Sequence, residues 1–150
     1  MSRMKPIVLR PGEGECMQLG ESSVVIKADA ETTSGRFALL ETTLGPGLSG
    51  PKPHVHHETL DMFFVLEGTL TMQLGNETLD LADGAFVLVP PETPHTFSNR
   101  TDKPVRLLNM DTPAGLESYL REVAGVMAKE SIDPTAIAEI TSRYDIAPAE

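Results

Sequence analysis

The chain has 150 residues, enough for one domain around one core. Charged residues make up 23% and hydrophobic residues 40%, which excludes a disordered chain and a helical membrane protein. A formal charge of −10 repels phosphate backbones and anionic lipid, so no nucleic-acid or membrane partner is expected.

Residues 1–22 read as an N-terminal strand or arm. Their only apolar run, 7–9, is broken by Arg10 and Pro11, too short for the core of a signal peptide. The expected location is therefore the cytoplasm. Cys16 is the sole cysteine, so it forms no internal disulfide and reads as a structural thiol.

Residues 23–111 carry a period of two, with turn residues between short β-rich runs, the pattern of an antiparallel sandwich or barrel. Strands are predicted over 23–29 and 36–44. A loop follows over 45–53, where Gly and Pro are too dense for a ladder. Residues 61–67 form a strand apolar on both faces, hence a central one. Runs 69–74 and 77–81 alternate around Gly75-Asn76, a hairpin with a primed turn. Asp83-Gly84 turns into a strand at 85–89, and strands at 95–99 and 105–111 close the β region.

Residues 112–150 change period and form a helical extension. Leu116, Tyr119, Leu120, Val123 and Met127 fall on one helical face. Asp133-Pro134 is an N-cap with proline at the first helical position, and Ile137, Ile140 and Tyr144 mark the second helix. Residues 147–150 read as a frayed end.

All four histidines lie in two places. His54, His56 and His57 sit in PHVHHETLD, and His95 sits in PETPHTFSN. On a strand, positions i and i+2 share a face, so His54 and His56 stand side by side while His57 points away into solvent. Glu58 or Asp61 follows as a carboxylate. Three imidazoles and a carboxylate suit one divalent transition metal, Fe, Mn, Ni, Co, Cu or Zn, with identity left open.

The spacing resembles the two-part signature of the cupin superfamily. The first part runs from His54-Val55-His56 through four residues to Asp61 and six more to Gly68. The second runs from Gly84 through five residues to Pro90, then through Glu92 to His95 and Asn99. Three positions depart from the pattern. Leu48 stands where the leading Gly is expected, between Gly47 and Gly50; Glu92 replaces a Gly; and Asp61 replaces the ligand Glu. The two Gly departures read as neutral for the fold. Asp is about 1.5 Å shorter in reach, so Asp61 as ligand, Glu58 as substitute, or three histidines alone all remain open.

The resemblance implies an all-β, double-stranded β-helix or jelly-roll barrel with a C-terminal two-helix tail. It implies His54, His56, Asp61 and His95 around the metal, near the barrel mouth. Phe63 and Val65 would share the face of Asp61, Phe97 that of His95, with Met72 joining from the next strand. Together they would make an apolar pocket for a small-molecule ligand. Asn99 reads as a turn-stabilising residue, with contact to a ligating imidazole as the alternative. The metal motif resembles that of quercetinase-like dioxygenases. A redox-neutral isomerase, lyase or cyclase, and a non-catalytic binding module, share the same scaffold. Asp61 is the candidate acid/base if it is not a ligand. A homodimer is expected by the same resemblance.

Overall fold

A computed structural model of the chain describes residues 4–129 and 131–149. Met1, Ser2, Arg3, Glu130 and Glu150, which the predicted arm, extension and frayed end include, lie outside the described residues. The strands are β1 (Glu15–Leu19), β2 (Ser22–Ala28), β3 (Ala38–Leu44), β4 (His54–Val55), β5 (Leu60–Glu67), β6 (Leu70–Leu74), β7 (Glu77–Leu81), β8 (Phe86–Val89), β9 (His95–Ser98), β10 (Val105–Thr112) and β11 (Ala147–Pro148). The helices are α1 (Leu116–Met127) and α2 (Pro134–Thr141).

The strands form two antiparallel sheets, ordered β1-β2-β3-β10-β5-β8 and β11-β4-β9-β6-β7. Alternation along each strand decides which side chains meet between them. Phe63 and Val65 from β5, Val87 and Val89 from β8, and Val105 and Leu107 from β10 pack against Leu70 and Met72 from β6. This two-sheet barrel is the jelly roll expected from the sequence. A second cluster, Val24, Ile26 and Leu40, is covered by Leu120 of α1.

The Gly75-Asn76 hairpin forms, with Leu74 opposite Glu77 and Gly75 at φ 56°. The second helix also starts as the sequence predicts, the Asp133 carboxylate accepting from Thr135 N at 2.9 Å. It stops at Thr141, so Tyr144 lies beyond it, its hydroxyl bonded to Glu122 of α1. The chain end is not frayed throughout: Ala147 and Pro148 pair with Val55 and His54 as an edge strand. Cys16 is exposed on β1 rather than packed.

β5 is central, between β10 and β8, as its apolar faces predict, but only one of those faces is buried. Its outer residues Met62 and Phe64 line up with Leu39 and Met110, and with Leu108, Phe86 and Leu88, across four strands. Phe86 and Leu88 are 58% and 48% exposed, so this sheet has an apolar outer face.

Two glycine departures acquire physical explanations. Gly50 is where the backbone must pass closest, since a Cβ there would fall 1.6 Å from Phe97 O. Position 92 has φ 69°, the left-handed region that glycine enters freely and glutamate does not. The exposed contact of Glu92 with His57 Nδ1 at 2.7 Å offsets only part of that strain. Glu92 is thus a local cost rather than a neutral replacement. Glu92→Gly is expected to stabilise the fold by about 0.5–1 kcal/mol. A lower urea midpoint for the variant would contradict this.

Candidate metal centre

β4 is only two residues long, because Pro51 and Pro53 precede it and the chain turns after Val55. That short strand pairs His54 with His95 across the ladder. The turn folds the His56 ring back toward both. Ring centroids lie 4.5 Å apart for His54 and His95, 5.0 Å for His54 and His56, and 5.1 Å for His56 and His95. One nitrogen from each ring lies within 4.8 Å of the other two.

The hydrogen bonds assign which nitrogen each ring presents. His54 Nδ1 donates to Lys52 O at 2.9 Å, His56 Nδ1 to Asp145 O at 2.7 Å, and His95 Nδ1 to Thr93 O at 2.9 Å. A carbonyl oxygen cannot donate, so all three Nδ1 carry the proton. All three Nε2 are left with lone pairs. Metal-ligating imidazoles have this arrangement, the second ring nitrogen held by a backbone carbonyl.

Asp61 projects inward from β5 of the opposite sheet. Its Oδ2 lies 3.1 Å from His95 Nε2 and 3.5 Å from His56 Nε2. Asn109 donates to its Oδ1 at 2.7 Å. Metal–ligand bonds of about 2.1 Å put neighbouring donors about 3–3.5 Å apart around an octahedral or tetrahedral ion. The two Asp61 contacts have that spacing, but the cluster that could hold a cation is the three imidazoles without Asp61, which reaches His56 and His95 and not His54. Without a cation, a proton must sit between Oδ2 and Nε2.

The electrostatics agree with that charge requirement. Burial pulls the His54 pKa down to about 4, with the neighbouring imidazoles adding to the effect. Burial opposes charge on His56 too, but hydrogen bonds to Asp61 and Asp145 raise it above its ordinary value. Burial pushes Asp61 upward, and bonds from His56, His95, Asp111 and Asn109 outweigh it, holding the carboxyl well below the usual range. Asp111 faces Asp61 across the β5–β10 pair and moves the other way, through burial and the charge on Asp61. Its Oδ1 is buried without a partner. Sequence reasoning missed Asp111. The signal was present, since its position in β10 alternates inward with Leu107.

Glu58 does not join the cluster. Alternation from His56 would bring it to the same face, but the strand has ended and the side chain is exposed. His57 is exposed as expected. The turn is imposed by Asp145, whose carboxylate accepts from His57 N at 2.7 Å and from Glu58 N and Thr59 N at 2.9 Å. No sequence signal near the histidines indicates a residue almost ninety positions away.

Phe63, Val65 and Met72 lie in the barrel core, with Phe97 packed against them. Phe63 links this core to the imidazoles, its ring 6.5 Å from His95 and 5.7 Å from Phe97. Glu41 points away from the site and binds Arg106 at 2.8 Å on the outer face.

The cupin domain family matches residues 40–111. The chain is 29% identical over 144 residues to quercetin 2,3-dioxygenase of Bacillus subtilis (strain 168), covering 96% of this chain and 42% of that protein. It spans less than half the length of the curated relatives it matches. Among solved structures, KdgF from Halomonas sp. superposes with a TM-score of 0.66 at 15% identity, covering 76% of this chain and 99% of that one. The polyketide cyclase RemF from Streptomyces resistomycificus gives 0.64 at 21% identity, covering 72% and 80%. At these identities the two structures speak for the fold alone.

Proposed function

This chain belongs to the cupin superfamily, and on that premise we propose that it is a metal-dependent enzyme acting on a small, partly apolar molecule, with dioxygenation as its reaction. The observation that carries the reading is the convergence of three imidazoles whose Nδ1 protons all go to backbone carbonyls. The sequence likeness to a quercetin 2,3-dioxygenase supports the choice of reaction.

His54, His56 and His95 hold the metal, and Asp61 completes the set or serves as acid/base beside it. A divalent transition metal bound there supplies open coordination positions for redox or Lewis-acid chemistry. The protein does the rest. Backbone carbonyls orient the imidazoles, Asn109 aims the Asp61 carboxylate, and Asp111 faces it across the β5–β10 pair. Phe63 and Phe97 keep the inner side apolar and exclude water. The substrate approaches from the mouth, where His54 is only partly buried.

The test is elemental analysis of protein purified without chelator or histidine tag, followed by oxygen uptake with flavonols and catechols. Near one metal per chain and uptake with at least one flavonol is the expected result. Metal without uptake moves the reaction to a redox-neutral isomerase, lyase or cyclase. Absence of metal, with none taken up on reconstitution, leaves a small-molecule-binding module. Asp61→Ala separates the two roles of that residue. Metal affinity reduced about 10–100-fold makes Asp61 part of metal binding. Unchanged affinity with turnover down about 10²–10⁴-fold makes it the acid/base.

The chain works in the cytoplasm as a homodimer on this reading. No helix among the described residues is long and apolar enough to cross a membrane. The apolar outer face formed by Met62, Phe64, Phe86 and Leu88 supports association with a second copy. Sedimentation is expected to give twice the chain mass of 16.2 kDa; a monomer mass at micromolar concentration would overturn it.

A further inference from the structure

The segment after α2 is held by contacts to both helices and to the histidine-bearing segment. Arg143 binds Glu122 of α1 at 2.8 Å, and the Tyr144 ring lies 5.7 Å from that of Tyr119, tilted by 60°. These contacts fix the approach. The next five residues leave the helices and lie along the histidine-bearing segment. Asp145 takes three consecutive backbone N–H groups, from His57, Glu58 and Thr59, and the Thr59 hydroxyl at 2.8 Å. Ala147 and Pro148 pair with Val55 and His54, and Ala149 N donates to Pro53 O at 3.1 Å. Asp145 also presents its own backbone carbonyl to His56 Nδ1.

The tail therefore holds residues 53–59 from one side over their whole length. The Asp145 side chain is the anchor, and its carbonyl is the group that sets the His56 tautomer. His54 and His95 take their carbonyls from residues two positions away in their own segments, Lys52 and Thr93. His56 alone borrows its partner from a distant part of the chain. If the tail lifts, His56 loses the acceptor that keeps its proton on Nδ1, and the turn that aims its ring loses its three N–H contacts.

We propose that the C-terminal tail is a clamp on the metal centre, with Asp145 as the positioning residue for His56, so that tail docking and metal binding strengthen each other. The proposal rests on the metal-binding reading above. Linkage makes the coupling reciprocal: whatever factor docking adds to metal affinity, metal adds to docking. Loss of an outer hydrogen-bond partner of a ligating histidine lowers metal affinity about 10–100-fold in general, and Asp145 controls both such a partner and the turn.

The test uses the full chain with cobalt(II) or zinc(II) as probe, competed against a chromophoric chelator. Asp145→Ala is expected to weaken binding about 10–100-fold and to change the cobalt absorption spectrum. Asp145→Asn, which retains an acceptor oxygen, is expected to lose less. In the parent chain, metal should slow hydrogen exchange at the amides of His57, Glu58 and Thr59 by the factor that Asp145→Ala loses in affinity. In Asp145→Ala that protection should vanish while the amides of β5 and β10 stay protected, which shows that the barrel remains folded. Parent-level affinity in a folded Asp145→Ala whose tail exchanges freely would overturn the clamp and leave the metal reading standing. A parent chain that takes up neither cation would overturn both.

Discussion

His95→Ala is expected to lower metal affinity by at least ~10²-fold, more than the loss of any outer partner, and to yield protein without metal. His95 lies 4.5 and 5.1 Å from the other two imidazoles and is almost wholly buried, so no alternative side chain can swing into its place. It is also the imidazole nearer to Asp61 of the opposite sheet, at 3.1 Å, so its removal takes away the shorter of the two contacts that join the sheets here. His57→Ala is the matched control, because His57 is exposed and contacts Glu92. The measurement is metal content by elemental analysis and affinity by chelator competition. Near one metal per chain in His95→Ala, with unchanged affinity, would remove the three-imidazole centre from consideration. His95→Gln, close in volume, guards against a merely unfolded alanine variant.

Asn99→Ala is expected to destabilise the fold by about 3–5 kcal/mol without altering the donor set. The side chain is buried, and every polar atom is used. Its Nδ2 lies 3.2, 3.0 and 2.7 Å from the carbonyls of Leu44, Gly45 and Lys103, and its Oδ1 accepts from Thr101 N and Oγ1. Alanine removes all five bonds; Gly45 O keeps Leu48 N and Lys103 O keeps Thr101 Oγ1, while Leu44 O and Thr101 N lose this partner, at about 1–3 kcal/mol for each that stays unsatisfied. For a chain of this size the melting temperature should fall by roughly 10 °C. A change of only one or two degrees would mean that water or a rotated loop replaces the amide. None of these bonds goes to an imidazole, so the last residue of the second motif secures the loops at 45 and 101–103.

The strands and the donor set were legible because both follow period two. Alternation alone puts Asp61, Phe63 and Val65 on one face, and it puts Phe97 with His95. The same rule failed where the strand stopped. It carried Glu58 inward past the end of β4, where the Asp145 carboxylate had already captured the backbone. Asp145 and β11 were not legible because an isolated aspartate in a short polar tail carries no periodic signal. Its role depends on two helices folding first and delivering it to a segment almost ninety residues away. Glu92 read as neutral because a motif letter does not reveal its φ angle. The two apolar faces of β5 marked it as a central strand, which it is, but composition cannot distinguish a buried face from an exposed one, so the exposed outer face was not legible.

The two apolar faces of β5 leave its hydrophobic pattern without a preferred sidedness. Sliding the strand by one residue would carry Met62 and Phe64 inward and turn Phe63 and Val65 out, with little change in buried apolar area. Asp61 breaks the tie. In the observed pairing it meets Asn109 and His95, and in the slipped one those partners would face hydrocarbon. The carboxylate at the metal centre is thereby a folding instruction too, rejecting a mispaired barrel that greasy side chains alone would tolerate.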